Sequence, residues 1–253
     1  FRNEINPRNY TFRSREFEQM ELEFFIKPDE AVEAQYGTIA RWAEGADLSD
    51  PQPNWGWEMW HRYWVEQRTR FYNSIGLGAD TLDYHWQAAD ELAHYAKACV
   101  DIQFKFPFGT QELEGIAARG DFDLVQHQKF SGKAMEVFDE ELKAAFAKWT
   151  PEQKEALAAR KIAEQQAKGE CGMNPEQART WCTRLFDGFF VPHVIEPSAG
   201  VDRIALALLC NAYREEWVPA EVLRGLADLG AFGIKIPRQY GGLGLSQLSY
   251  NRA

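Results

Sequence analysis

CVDIQFKFPFG, at residues 99–109, is the stretch that predicts the fold most directly. Apolar residues stand at alternate positions in it: Val100, Ile102, Phe104 and Phe106. Successive side chains of a strand point to opposite faces, so this alternation is typical of a strand with one buried and one polar face. We therefore expect a strand here and a sheet around it.

Extended segments and helices are predicted on both sides of this strand. Strand-like segments fall at residues 1–28 (strand, loop, strand), at 112–124 (a short strand ending in a Gly-Asp turn) and at 189–196, before a turn at 197–200. Helical patterns fall at residues 29–50, at 57–76, at two places within 131–169, and at 201–213. This order lacks the regular alternation of a doubly wound sheet. It predicts an α/β fold of the α+β type, an antiparallel sheet with helices against one face.

Composition and charge exclude several classes of protein. The 253 residues carry 28 Lys and Arg against 38 Asp and Glu, which argues against a basic surface that holds nucleic acid by phosphate attraction alone. No apolar run approaches the ~20 residues of a membrane span, so no membrane contact is expected. Four cysteines without CxxC spacing indicate reduced thiols and a cytoplasmic protein. Neither a P-loop nor a glycine-rich dinucleotide fingerprint occurs, so side chains would have to bind any phosphate.

Charged residues recur inside the strand-like segments. They are Arg2, Glu4, Arg13, Arg15, Glu16, Glu21, Glu112, Glu114, Glu196 and Arg203. Charges on an internal sheet cost several kcal/mol unless they are paired or solvated in a cleft. The pattern therefore fits a polar pocket floored by the sheet. It fits equally an exposed sheet face with surface ion pairs, which are common.

Four blocks of sequence resemble one family of enzymes. The blocks are FRNEI (1–5) with REFEQMELEFF (15–25), HYAKACVDIQFKFPFG (94–109), ELEGIAARGDFDL (112–124) and VPHVIEPSAGVDRIALALLCNAY (191–213). In this order they resemble the class II aminoacyl-tRNA synthetases, specifically the dimeric type of glycyl-tRNA synthetase, with motif 2 in the first block and motif 3 in the last. The resemblance implies a class II catalytic core at residues 1–216, with a helical insertion at about 131–185.

The resemblance also implies an ATP site. In the family, the residue matching Arg2 binds the α-phosphate, that matching Glu4 reads the adenine amino group, and that matching Arg203 contacts the nucleotide from the other side. Phe17 would stack on adenine, and Glu112 would hold Mg²⁺, which prefers hard oxygen ligands. The implied ATP-binding set is Arg2, Asn3, Glu4, Phe12, Arg13, Arg15, Phe17, Glu112, Leu113, Gly200 and Arg203. Arg2 and Arg203 are the implied catalytic residues.

Glycine, ATP and tRNA(Gly) are the implied substrates. Glu21 and Glu196 match the family's ligands of the glycine amino group, and Ser198 matches a hydroxyl that closes the pocket. The implied glycine-binding set is Phe17, Gln19, Glu21, Glu196, Ser198 and Gly200. The implied reaction is activation of glycine to glycyl-adenylate and transfer to tRNA(Gly), with ATP as substrate and Mg²⁺ as cofactor; neither zinc nor flavin is expected.

Three features depart from the family's pattern. The chain begins at Phe1 without motif 1, so we expect a piece of a larger enzyme whose parent is a homodimer. Residues 82–87, LDYHWQ, replace an Arg-x-Arg-x-His pattern of the relatives, so that Asp83 and His85 stand where arginines are usual. Residues 217–253 instead resemble the N-terminal region of acyl-CoA dehydrogenases, through the string GIKIPRQYGGLGLS at 233–246. This tail indicates a fusion or joined fragments, unless it is a divergent tail that happens to look similar.

Three functions thus remain open at the level of sequence. The first is an incomplete glycine–tRNA ligase core. The second is a noncatalytic, synthetase-like module that binds nucleotide. The third, supported by the tail alone, is a fragment of an acyl-CoA dehydrogenase.

Overall fold

The computed structural model describes residues 2–3, 12–13, 16–93, 95–167, 169, 172–215 and 219–228, with backbone alone for Arg2, Asn3 and Ala227. The predicted site residues Glu4 and Arg15, and the tail beyond Asp228, lie outside the described residues. The chain divides into two compact units, Phe1–Asn211 and Ala212–Ala253.

The elements follow in chain order. The strands are β1 (Arg2–Asn3), β2 (Glu16–Phe17), β3 (Gln19–Glu21), β4 (Phe24–Ile26), β5 (Leu82–Trp86), β6 (Ala98–Phe106), β7 (Gly109–Gly120), β8 (Val137–Phe138), β9 (Phe189–Phe190) and β10 (His193–Gly200). The helices are α1 (Asp29–Tyr36), α2 (Trp57–Ser74), α3 (Phe122–Ser131), α4 (Glu140–Ala147), α5 (Pro151–Ala167), α6 (Pro175–Phe186), α7 (Val201–Ala212) and α8 (Ala220–Asp228).

A six-stranded antiparallel sheet organises the first unit. Its strand order is β3-β10-β7-β6-β5, with β4 also paired to β10. The two short pairs β1-β2 and β8-β9 lie outside it. The predicted α/β fold with an antiparallel sheet is therefore confirmed.

One face of the sheet is packed against helices. Val100 and Ile102 of β6 and Ile116 of β7 are fully buried there, as the alternation in residues 99–109 predicts. From α2, the fully buried Tyr72 and the partly buried Trp64 pack on the same cluster. At about 25 cal/mol per Å² of apolar surface, each such fully buried side chain contributes roughly 1.5–3 kcal/mol.

A second cluster lies among the helices between β7 and β9. Leu142 and Phe146 of α4 and Leu185 of α6 are fully buried in it. The two helices predicted within residues 131–169 are α4 and α5. Before α5, Thr150 and Gln153 each accept the other's backbone N–H, which satisfies donors that a helix N-terminus leaves unpaired.

The structure corrects the expected helix at residues 29–50. The helix α1 ends at Tyr36, and residues 37–56 contain no helix. Gly37 takes a left-handed φ of 73° and donates its N–H to the carbonyl of Glu33. A glycine in this conformation is a common helix end, and it outweighed the polar helical pattern that follows.

Two further expectations need correction along β7 and β10. The strand β7 is long rather than short, and α3 follows it directly through Gly120, whose φ is 68°. Residues 197–200 continue β10 instead of forming a turn. Pro197 is tolerated because its carbonyl accepts the N–H of Leu22, between β3 and β4. A residue's N–H and C=O point to the same neighbour in an antiparallel ladder, so the missing N–H costs no bond to β7.

A carboxylate is buried under the centre of the sheet. Glu114 of β7 is 1% exposed; it accepts the Nε–H of Arg68 at 2.6 Å and the hydroxyl of Tyr72 at 2.6 Å. Both partners come from α2, so this cluster ties the helix to the sheet. Burial, together with the nearby Glu114 carboxylate, raises the pKa of Tyr72 well above its ordinary value, so the phenol stays a donor.

None of the helices in the described part of the chain is both long and apolar enough to cross a membrane.

Replacing Arg68 tests how much this cluster stabilises the fold. Arg68→Met leaves the Glu114 carboxylate buried without a cation, and breaking a buried pair in this way typically costs about 3 kcal/mol or more. Urea denaturation measures the loss. The control Arg179→Met removes an exposed pair with Glu155, which is worth at most about 1 kcal/mol. Equal losses in the two variants would contradict the structural role given to Glu114.

Candidate functional site

The second face of the sheet forms a cleft floored by small residues. Gly115 and Ala117 of β7 lie beside Ser198 and Glu196 of β10, in the register Gly115–Ser198 and Ala117–Glu196. On the other side, Asp101 and Cys99 of β6 pair with the same two β7 residues. The cavity above this floor has a volume of about 310 Å³. It is lined by Phe12, Arg13, Phe17, Glu18, Gln19, Tyr95, Glu112, Leu113, Gly115, Arg119, Glu196, Ser198, Gly200, Asp202 and Arg203.

A β-bulge places Glu112 in this cleft. Ile102 of β6 pairs with Glu114 and Gln103 pairs with Glu112, so Leu113 is an extra residue in β7. In a regular strand Glu112 would share the buried face of Glu114. Instead its Oε1 lies 3.3 Å from the point where a Cβ on Gly115 would stand. The glycine thus leaves room for the Glu112 carboxylate.

Arg203, in the first turn of α7, lies at this end of the cleft. Its Nη1 donates to the carbonyl oxygen of Glu112 at 3.0 Å and approaches the Glu112 carboxylate at 3.3 Å. Its guanidinium carbon lies 4.5 Å from the ring centroid of Phe12. The side chain remains 22% exposed, so the guanidinium is held at one edge and open to the cleft at the other.

Arg119 organises the opposite end of the cleft. Its Nη1 donates to both carboxylate oxygens of Glu196, at 2.8 and 3.0 Å, and its Nε donates to Asp123 at 2.8 Å. Its guanidinium carbon lies 4.4 Å from the ring centroid of Tyr95. Sequence reasoning missed this residue. The alternation of side chains along β7 could have identified it, because Arg119 shares a face with Gly115 and Ala117. It also precedes Asp123 by four positions.

Negative charge dominates the floor of the cleft. Burial raises the pKa of Glu196 above its ordinary value, and the Glu21 and Glu23 carboxylates raise it further, while Arg119 opposes them. Burial and the carboxylates of Asp101, Glu112 and Glu196 raise the pKa of the Cys99 thiol to about 12. Such a field favours a bound cation.

Most residues of the predicted site meet in the cleft. Those that line it are Phe12, Arg13, Phe17, Gln19, Glu112, Leu113, Glu196, Ser198, Gly200 and Arg203. Glu21 stands directly across the ladder from Ser198, whose hydroxyl accepts a hydrogen bond from the Gln19 amide. The backbone of Arg2 pairs with that of Phe17, and Asn3 with Glu16. The role of each residue stays a prediction.

Metal binding at Glu112 also stays a prediction. Over the described residues, no group of three or more His, Cys, Asp or Glu side chains is arranged to hold a metal ion. Among the histidines, His61 is buried and bonded to the carbonyl of Ile116 at 2.9 Å.

The raised pKa of Glu196 predicts a pH dependence of stability. The folded protein binds a proton at this carboxyl more tightly than the unfolded chain. The resulting stabilisation is full below the ordinary carboxyl pKa of about 4.3 and is lost as pH rises through the raised pKa. We therefore expect the advantage of the wild type over Glu196→Gln, in free energy of unfolding, to shrink from about pH 4 toward neutral.

Glu155→Gln serves as the control, measured by the same urea titrations. The hydrogen bond and charge of Arg179 lower the pKa of Glu155, so its contribution to stability has the opposite sign of pH dependence. If the two variants change in the same direction relative to the wild type, the assignment of a raised pKa to Glu196 is wrong.

Most of the chain that forms this cleft is similar in sequence to known proteins. The glycine–tRNA ligase of Thermus thermophilus is 39% identical over 219 residues, which are 87% of this chain and 32% of the relative. That of Rhodopirellula baltica is 39% identical over 225 residues, and that of Clostridium tetani 38% over 216 residues. These cover 87% and 85% of this chain, and 33% and 32% of the relatives.

A second family matches the end of the chain. The family described as acyl-CoA dehydrogenase, N-terminal domain, matches residues 204–253, beginning within α7. The chain spans about a third of the length of the curated relatives that it matches. Both resemblances found in the sequence blocks are therefore confirmed: most of this chain is similar to about a third of the glycine–tRNA ligases, and residues 204–253 are similar to the N-terminal domain of acyl-CoA dehydrogenases.

Proposed function

We propose that the cleft is the glycine-activating site of a glycine–tRNA ligase. The enzyme would use ATP to convert glycine to glycyl-adenylate and would then transfer the glycyl group to tRNA(Gly). The observation that carries the proposal is the position of Glu196. This half-buried carboxylate is held by Arg119 on an anionic floor of small residues, in the same cleft as Arg203 and Glu112. We infer that the amino acid is glycine from the similar proteins, which are glycine–tRNA ligases.

The anionic end of the cleft suits the ammonium of glycine. Glycine has no side chain, so an enzyme must recognise its ammonium and exclude larger amino acids. Burial and the neighbouring carboxylates disfavour the ionised form of Glu196. A bound ammonium would stabilise that form. Arg119 fixes the direction of the Glu196 carboxylate through two hydrogen bonds. Glu21 and the Gln19–Ser198 pair would complete the pocket.

The opposite end suits a nucleotide. One edge of the Arg203 guanidinium bonds Glu112, and the other edge is open to phosphate oxygens. The Phe12 ring packs against a face of the guanidinium. We assign adenine stacking to Phe17, and, from the family resemblance, the α-phosphate to Arg2 and the adenine amino group to Glu4. Asn3, Arg13, Arg15, Leu113 and Gly200 complete the proposed ATP-binding set.

The chemistry of Glu112 fits a magnesium ion. One carboxylate oxygen of Glu112 and one of Asp101 lie beside Gly115, at 3.3 and 3.7 Å from the position that a Cβ there would take, so the cleft floor offers two hard oxygen donors near this residue. Mg²⁺ is usually held by one or two carboxylates together with substrate phosphates and water. When bound, it would neutralise charge on the phosphates of ATP.

The proposed first step is an in-line displacement at the α-phosphorus. A carboxylate oxygen of glycine forms a bond to the phosphorus as the bond to the bridging oxygen breaks and pyrophosphate leaves. Glycine's carboxylate is already ionised, so no general base is needed. Catalysis then consists of positioning by Glu196 and Glu21, and of charge stabilisation by Arg203 and Arg2. In the second step a terminal hydroxyl of tRNA attacks the glycyl carbonyl and AMP leaves.

The proposal extends to the organisation of the protein. We assign residues 1–216 to the catalytic core, with the helical insertion at about 131–185, and 217–253 to a fused or joined tail. A homodimeric parent enzyme in the cytoplasm follows from the same family resemblance.

Glycine-dependent exchange of pyrophosphate with ATP tests the proposal. We expect exchange with glycine but not with alanine or serine, because a site that serves glycine must exclude amino acids that carry a side chain. Arg203→Ala should lower the rate about 10²–10³-fold, the usual effect of losing one donor to transition-state charge. Glu196→Ala should raise the KM for glycine.

Arg179→Ala is the matched control, because its pair with Glu155 is exposed and outside the lining of the cleft. It should keep the wild-type exchange rate. Exchange that survives Arg203→Ala and Glu196→Ala unchanged would refute this site. ATP binding without exchange in the wild type would instead favour a noncatalytic nucleotide-binding module.

A further inference from the structure

The bulge that turns Glu112 into the cleft has a buried counterpart on the other face of β7. Glu114 follows Glu112 by two residues and lies between Ile102 of β6 and Ala199 of β10, which are both buried. Its two carboxylate oxygens are occupied by Arg68 and Tyr72 of α2. We call Arg68, Tyr72 and Glu114 the anchor cluster.

The anchor cluster selects one register of β7. Shifting a strand by one residue moves every side chain to the other face. If the bulge at Leu113 were lost by such a shift of Glu114, the carboxylate would leave the core and Arg68 would lose its partner. The partly buried Arg68 guanidinium and the fully buried Tyr72 phenol converge on one buried carboxylate and therefore resist this shift. Glu112 itself is exposed, and its contact with Arg203 lies on the open face of the sheet, where it is solvated.

Arg203 depends on the same register. It donates to the backbone carbonyl of Glu112 as well as approaching its carboxylate, so its position follows the backbone at the bulge. Gly115, on the far side of the bulge, provides the space into which the Glu112 carboxylate folds. The contacts of Glu196 with Arg119 lie further along β7, beyond Ala117.

We propose that Arg68, Glu114 and Tyr72 are positioning residues, which hold Glu112 and Arg203 in the arrangement that binds the nucleotide. They act from the buried face of the sheet and touch no substrate. The inference rests on the proposed function for the role of Glu112 and Arg203 in nucleotide binding. The structural link between the anchor cluster and the bulge does not depend on that function. Loss of the anchor should therefore weaken ATP binding more than glycine binding.

Glu114→Gln and Tyr72→Phe test this link with two readouts. Glu114→Gln keeps the shape of the side chain and removes its charge, and should raise the KM for ATP about tenfold while the KM for glycine changes less than about threefold. Tyr72→Phe, which removes one hydrogen bond, should act in the same direction with a smaller effect. Hydrogen–deuterium exchange should become about tenfold faster at the amides of Glu112 and Leu113 in Glu114→Gln.

Lys161→Met is the matched control, because it breaks another buried ion pair, that with Glu30 in the helical region. It should reduce stability without changing exchange at residues 112–113. An equal acceleration there in Lys161→Met, or no acceleration in Glu114→Gln, would overturn the inference. A larger rise in the KM for ATP than in the KM for glycine in Glu114→Gln supports the inference, and equal rises contradict it. If the wild type shows no glycine-dependent reaction, the proposed function fails, and the deuterium measurement alone decides the positioning role.

Discussion

The first unit depends on the need to pair a charge in its core. Glu114 takes a carboxylate into the apolar layer between the sheet and α2, where an unpaired charge would be expensive. Arg68 and Tyr72 satisfy both of its oxygens and so define where α2 lies on β7. Apolar packing alone tolerates small slides of a helix on a sheet, whereas two hydrogen bonds to one carboxylate do not. The cleft is built on the opposite face of the strand that this pairing holds.

The cleft combines few cations with many anions. Arg119 and Arg203 stand at its two ends, each already bonded to a carboxylate. The floor between them bears small side chains, and burial together with the carboxylates of Asp101, Glu112 and Glu196 raises the pKa of the Cys99 thiol to about 12. Under the proposed function, this division would give a chain with a formal charge of −10 separate places for an ammonium and for a polyphosphate. The basic residues that matter are local, and the overall charge does not reveal them.

Sequence patterns predicted the parts of the fold in which local periodicity and burial agree. The alternation in residues 99–109 predicted β6, and the helical pattern at residues 57–76 predicted α2. The polar helical pattern after Gly37 failed, because a single left-handed residue ends α1. Arg119 was missed since its partner Glu196 is 77 positions away, and only the ladder between β7 and β10 brings them together. The charge pattern picked out Glu196 and Arg203 but fitted a pocket and an exposed sheet face equally. Family resemblance added Ser198, and the folded chain brings all three residues into one cleft.

The most direct test of the account is a crystal structure of this chain with a non-hydrolysable sulfamoyl analogue of glycyl-adenylate. We predict that the analogue occupies the cleft with its ammonium within hydrogen-bonding distance of the Glu196 carboxylate and its sulfamoyl group beside Arg203. An analogue bound elsewhere, or bound in the cleft with its ammonium away from Glu196, would contradict the account.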